Sequence, residues 1–164
     1  IIEILYATGC RVSELCQLEA SPFRHRRQTI IITGKGKKER MVALTESALQ
    51  ASEAWLAMRD QVPAYIALPW LFPSGRQDKP ISRQYIYTLL RDLAIKAGIN
   101  PEKMSPHVLR HSFATHMLNR GADLRSLQLL LGHADISTTE IYTKTRDDRL
   151  MGLVKDTHPL ADES

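Results

Sequence analysis

The sequence predicts a mainly α-helical domain with one small antiparallel β-sheet. Three observations carry this. Four residues that cap helices, Thr45, Ser82, Ser105 and Asp123, each precede a stretch of helical length. Only one run, Gln28 to Thr33, is both β-branched and apolar, and a glycine-lysine turn folds it back onto a second short run. No internal repeat or low-complexity tract interrupts the pattern.

The elements follow in order. Residues 1–8 and 12–18 read as two short helices broken at Thr8-Gly9. Gln28–Thr33 and Arg40–Leu44 read as strands, and Gly34-Lys35-Gly36-Lys37-Lys38 as the turn of a basic-tipped hairpin. Thr45 caps a helix to about Asp60. Residues 61–80 hold prolines 63, 69, 73 and 80 and read as a long loop, pinned to the core by Trp70, Leu71 and Phe72. Ser82 caps a helix to about Ala97, which Gly98 ends. Ser105 followed by Pro106 is a helix start, because proline suits the first helical position. That helix runs to about Asn119 and stops at Gly121. Asp123 caps a short helix ending at Gly132. Ser137-Thr138-Thr139 opens another that carries Tyr142, and a last helix spans about Arg146 to Lys155.

Composition narrows the class. A chain of 164 residues is large enough for one domain with a real core. Its 43% apolar content is that of a folded chain, which excludes a disordered tail. No apolar run approaches the roughly 18 residues of a membrane span, and no signal peptide is visible. Cys10 and Cys16 are spaced for neither a zinc pair nor a disulfide framework, and read as core thiols of a reducing, cytoplasmic protein. Net charge is +4, compatible with nucleic acid but not diagnostic of it. Two basic clusters, Arg24-His25-Arg26-Arg27 and Lys35-Gly36-Lys37-Lys38, flank one strand; each is either solvated loop charge or a nucleic-acid contact. The chain opens in mid-helix, without methionine or cap, and is expected to be a fragment whose N-terminal DNA-binding domain is missing.

Six residues read together as a phosphoryl-transfer site: Arg11, Lys35, His107, Arg110, His133 and Tyr142. Two arginines and two histidines can surround a phosphate with charge-assisted donors, a lysine can supply a proton, and a tyrosine hydroxyl can attack phosphorus. On a helix, His107, Arg110 and His111 share one face, while Leu109, Phe113 and Met117 line another that suits the core. A His pair at this spacing could hold zinc, but Val108 stands where a zinc protease needs glutamate, and Arg110 would repel the cation. An anion site fits better, so no metal and no cofactor are expected. His111 and His116 are expected to be buried histidines that satisfy backbone groups. Gly34-Lys35-Gly36 joins two strands and lacks P-loop spacing, so nucleotide binding is not expected. Lys35, on a hairpin tip, could enter a DNA groove or touch a phosphate.

Taken together, Ala7-Thr8-Gly9-Cys10-Arg11-Val12-Ser13-Glu14-Leu15, Gly34-Lys35-Gly36-Lys37-Lys38-Glu39-Arg40, His107-Val108-Leu109-Arg110-His111, Leu131-Gly132-His133 and Tyr142 resemble the tyrosine recombinase (phage integrase) family. The likeness covers almost the whole chain, in the family's motif order. Ser105-Pro106-His107, the run 119–125 and His158-Pro159-Leu160 bring it closest to the recombinases of chromosome-dimer resolution. Cys10, where leucine is frequent, and Pro22-Phe23, where an acidic residue is frequent, depart from the pattern. The resemblance implies the catalytic-domain fold of that family and a site-specific recombinase. Tyr142 would form a 3′-phosphotyrosine link. Arg11, Arg110 and His133 would bind the phosphate, His107 would assist the nucleophile's proton, and Lys35 would protonate the leaving 5′-oxygen. It implies double-stranded DNA, a sister or partner recombinase in a tetrameric synaptic complex and a DNA translocase regulator as partners, with no membrane. An integrase, transposon or integron recombinase, a type IB topoisomerase, and a DNA-binding module inactive alone remain as other readings.

Overall fold

The computed structural model describes residues 1–75, 78–132 and 144–161, with the side chains of residues 35 and 144–147 outside that description. The chain folds as nine α-helices among the described residues around one two-stranded sheet. The order is α1 (Ile2–Thr8), α2 (Val12–Cys16), α3 (Ser21–Arg24), β1 (Thr29–Thr33), β2 (Glu39–Ala43), α4 (Glu46–Arg59), α5 (Pro63–Ile66), α6 (Arg83–Lys96), α7 (Pro106–Asn119), α8 (Leu124–Leu131) and α9 (Lys144–Thr157). The mainly helical expectation holds. The expected helix opening at Ser137 lies outside the described residues.

The four predicted caps all form. The side chains of Thr45, Ser82, Ser105 and Asp123 accept from the backbone N–H groups of Ala48, Tyr85, Val108 and Ser126. Each satisfies a donor that the first helical turn leaves without a partner. Gly132 ends α8 in the left-handed conformation, as its sequence position implied.

The hairpin pairs Thr29 with Ala43 and Thr33 with Glu39, in antiparallel register. Ile30 and Ile32 point inward, whereas Ile31 is 48% exposed. The tip is a single 3-10 turn, Lys35–Lys37, in which Gly36 and Lys37 both take positive φ.

The core has two parts. Ile4, Leu5, Leu15, Ile32, Leu49, Ile86 and Leu90 build one around α1, α2, the sheet, α4 and α6. Phe113, Met117, Leu127, Leu130, Leu131 and Val154 build the other around α7, α8 and α9. Helix α7 touches both, since Leu109 packs on the first part and Phe113 sits in the second. Cys10 and Cys16 are buried free thiols, as expected. Burial pushes the Cys10 thiol up to about 11, so it stays neutral.

Several expectations are corrected. α3 and α5 fall in stretches read as loop. Each is a four-residue helix with proline in its first turn, too short to show a 3.6-residue period. Two of the three predicted anchors pin the long loop: Leu71 and Phe72 are buried, and Trp55 Nε1 donates to the Leu71 carbonyl at 2.8 Å, whereas Trp70 is only half-buried and donates to the Asp78 carbonyl. Arg59 is buried beneath it and donates to the carbonyls of Leu68 and Trp70. The Arg24–Arg27 cluster is partly consumed internally, because Arg24 forks onto Asp60 and Arg26 bonds Glu46 and Glu53 of α4.

His111 and His116 are exposed, contrary to expectation. The buried stripe of α7 is Pro106, Arg110, Phe113 and Met117. The predicted shared face of residues 107, 110 and 111 is therefore split, with Arg110 at the edge of the core and both histidines outside. His116 Nδ1 instead lies 2.6 Å from the Tyr6 hydroxyl.

Candidate active site

The site grows from the junction of α1 and α2. Gly9 closes α1 in the left-handed region, at φ 58°. A Cβ at this position would lie 2.5 Å from Cδ1 of Phe113 and 3.0 Å from Leu131, so both the backbone angle and the space require glycine. This close approach brings α1 against α7 and the end of α8. Arg11 then serves as the N-cap of α2, with its backbone N–H donating to Glu14 Oε2 at 2.8 Å and its Nη1 to Oε1 at 3.1 Å.

Glu14 is 4% exposed and is the hub of the site. Arg40, from β2, clamps it with both terminal nitrogens, Nη1 to Oε1 at 2.9 Å and Nη2 to Oε2 at 2.7 Å. Burial alone would raise the Glu14 carboxyl. Hydrogen bonds from Arg40 and from the Arg11 backbone outweigh that and hold it below the usual carboxylate range. The Glu14–Arg40 pair is thus a charged pair in a dry place, its oxygens fully used.

Arg110 approaches from α7. One terminal nitrogen donates to the carbonyl of Gly9, and the other to that of Leu131 at 2.7 Å. Arg40 Nε donates to the neighbouring Leu130 carbonyl, also at 2.7 Å. Two guanidiniums therefore hold the last carbonyls of α8, where the helix dipole is negative. Burial and the charges of Arg11 and Arg40 bring the Arg110 guanidinium down to about 10, still cationic at neutral pH.

Arg11 and Arg110 thus meet around the Gly9 turn, although they lie 99 positions apart in the chain. Arg11 keeps a side chain 39% exposed, open to a ligand. His107 is exposed one turn before Arg110 on α7. The backbone at Lys35 belongs to the hairpin tip. The residue before it, Gly34, lies against Glu14, so that a Cβ there would be 3.1 Å from Oε1. The side chain of Lys35, together with His133 and Tyr142, lies outside the described residues.

Sequence reasoning missed Glu14 and Arg40 as members of the site. Both carried a signal. Glu14 stands three residues after the N-cap, the spacing of a reciprocal capping box. Arg40 pairs across the hairpin with Ile32, which is buried. Directly opposed residues share a face, so Arg40 is a charge on the inward side of the sheet and needs a buried partner.

Chemically, Arg11 and Arg40 share the Glu14 carboxylate, and Arg110 lies beside them on two backbone carbonyls. Guanidiniums present their donors in planar forks, which suits a phosphate. Among the described residues, no helix is long and apolar enough to cross a membrane.

A model of the phage integrase family matches residues 1–149. The chain is 48% identical over 162 residues to "Tyrosine recombinase XerD" of Brucella suis biovar 1 (strain 1330), an alignment spanning 99% of this chain and 52% of that protein. It therefore spans about half the length of the curated relative it matches. Among solved structures, a crystal structure of XerA recombinase superposes with a TM-score of 0.69 at 38% identity, over 96% of this chain and 56% of that one. A pre-cleavage complex of XerH site-specific recombinase with its difH substrate gives 0.67 at 32% identity, over 92% of this chain and 43% of that one.

Proposed function

The chain belongs to the phage integrase family, and from that premise we propose that it is the catalytic domain of a site-specific tyrosine recombinase that cuts and rejoins DNA. The observation that carries the reading is the junction at the Gly9 turn: Arg110 is fixed there by the Gly9 and Leu131 carbonyls, beside Arg11, whose side chain stays 39% exposed. Two guanidiniums placed this way can grip an anion, and a DNA phosphodiester supplies one.

In this reading Tyr142 attacks the scissile phosphorus and forms a 3′-phosphotyrosine bond, while the 5′-oxygen leaves. Arg11 and Arg110 hold the two non-bridging oxygens and stabilise the charge that grows on them. Arg110 is held in place by two backbone carbonyls, so its donors need little reorganisation as charge develops. His133 donates to the same phosphate. His107 assists proton movement at the tyrosine, and its exposed place one turn from Arg110 allows contact with bound DNA. Lys35 delivers a proton to the leaving 5′-oxygen when the hairpin closes on DNA. The covalent link conserves the energy of the broken bond, so a 5′-hydroxyl of another duplex can reverse the step without ATP.

The relative named XerD favours chromosome-dimer resolution over mobile-element integration. That assignment implies a cytoplasmic enzyme and a partner recombinase within a tetrameric complex on DNA, under a translocase regulator. The test is to incubate the full-length protein with nicked candidate-site DNA and excess chelator. A denaturation-resistant protein–DNA adduct is expected. No adduct on any candidate site overturns the reading. Loss of the adduct on chelation, with recovery on adding zinc or magnesium, overturns the metal-free mechanism.

A further inference from the structure

We infer that Arg40 is a positioning residue for Arg11, acting through the Glu14 carboxylate that both hold. The inference rests on the phosphate-clamp reading above. Three contacts fix the Arg40 side chain, and the first of them reaches Arg11.

The first contact is with Glu14. Arg40 grips both oxygens of this carboxylate, and the same oxygens receive the backbone N–H and Nη1 of Arg11. The orientation of Arg11 is thereby referred to Arg40. The second is with the hairpin tip. Gly34 lies over the Glu14–Arg40 pair, where a Cβ would stand 3.1 Å from Glu14 Oε1 and 3.8 Å from Arg40 Nη1. The next residue in the chain is Lys35. The third is with the end of α8. Arg40 Nε donates to the Leu130 carbonyl, and Gly132 packs on the Arg40 side chain, with a notional Cβ 3.3 Å from Cδ. The next residue there is His133.

Arg40 itself is well held. Its side chain is 10% exposed, it sits in a strand opposite Ile32, and the three nitrogens of its guanidinium have named acceptors on two elements. Arginine suits this place for a physical reason. Only a planar fork with a third donor along its edge can span a carboxylate and a backbone carbonyl together. Lysine can keep the charge near Glu14 but cannot make all three bonds in one geometry.

The prediction is that Arg40 acts on the chemistry through Arg11, without touching DNA. The experiment uses the full-length protein with Arg40→Gln and Arg40→Lys. Both are assayed below their melting midpoints, on nicked site DNA at saturating protein. Two substrates are compared: the ordinary phosphodiester, and a methylphosphonate in which one charged non-bridging oxygen is replaced by methyl. The methylphosphonate asks less of the guanidiniums, because less negative charge has to be stabilised.

Both variants should form adduct about 100-fold more slowly than wild type on the phosphodiester, the size of losing one transition-state donor. On the methylphosphonate the gap should shrink to about fivefold or less, and DNA affinity should change by less than about threefold, since all three guanidinium nitrogens of Arg40 already hold protein acceptors. Near wild-type rates overturn the inference. An equal loss on both substrates also overturns it, because that is the mark of general misfolding. If Arg40→Gln does not fold, Arg40→Lys decides by the same comparison. A wild-type protein that forms no adduct overturns the functional reading itself, and this inference with it.

Discussion

Arg110, on α7, donates to the carbonyl of Leu131 at 2.7 Å and so fixes the end of α8, immediately before Gly132 and His133. The same guanidinium donates to Gly9 at the start of the turn that presents Arg11. One buried cation therefore ties the Gly9 turn to the end of α8. Its structural duty and its proposed catalytic one are predicted to fail together when the fork is lost.

Arg110→Lys and Arg11→Lys keep the charge and lose the fork. Each should slow adduct formation about 10²–10³-fold. They should differ in stability. Arg110→Lys leaves buried carbonyls short of donors and should cost about 1–3 kcal/mol. Arg11→Lys, at a half-exposed position, should cost much less. Single-turnover rates and urea unfolding of both variants check this.

Gly9→Ala should be strongly destabilising. The substitution places a Cβ 2.5 Å from Phe113 and strains a left-handed residue. Backbone strain and overpacking together should cost about 2–5 kcal/mol, measured by thermal or urea unfolding. Gly36→Ala is the control. Its φ is also positive, but nothing lies within 4 Å of a new Cβ, so it should lose only the backbone share.

The local features of this fold were legible in the sequence. Thr45, Ser82, Ser105 and Asp123 cap their helices because a cap depends only on residues two or three positions away. Gly132 ends α8 for the same local reason. The hairpin was readable from two β-branched or apolar runs around a glycine turn. What escaped was non-local. The Glu14–Arg40 pair joins positions 26 apart, and the exposure of His111 and His116 depends on which arc of α7 faces the core. The arc includes Arg110 because carbonyls of Gly9 and Leu131 await it, and nothing near residue 110 in sequence announces those acceptors.

The C-terminal segment should loosen in mild acid. His158 is fully buried, its Nδ1 accepts from the Leu160 N–H, and its Nε2 donates to the Tyr6 carbonyl at 3.1 Å. Both ring nitrogens are satisfied only in the neutral form. Burial lowers its pKa below the usual 6.5, with further repulsion from Arg120 and His116, opposed by the Tyr6 carbonyl and by Glu3. Above about pH 6.5 neither the folded nor the unfolded state binds the proton and this contribution is whole. As pH falls below that value the unfolded state takes up the proton first, so stability is lost. Melting curves between about pH 8 and 5.5 should show a steeper acid decline for wild type than for His158→Gln. Parallel declines would remove His158 from this role.

Lys35→Ala should cleave ordinary DNA at least about 100-fold more slowly, the usual scale of a missing general acid. An alkoxide leaving group needs a proton, whereas a thiolate hardly does. Much of the rate should therefore return on DNA whose bridging 5′-oxygen is sulfur. No recovery would make Lys35 a DNA contact and shift the general acid to His107.

The central claim is that Tyr142 becomes covalently bonded to DNA at a phosphate held by Arg11 and Arg110. The most direct measurement compares wild type with Tyr142→Phe in the full-length protein on nicked site DNA, scoring binding and covalent adduct in the same samples. Phosphate neutralisation comes mainly from arginine and lysine, so the variant should bind with nearly unchanged affinity. It should form no adduct, while the wild-type adduct maps to the peptide carrying Tyr142. A normal adduct yield from Tyr142→Phe, or a wild-type adduct mapped to another residue, would contradict the account.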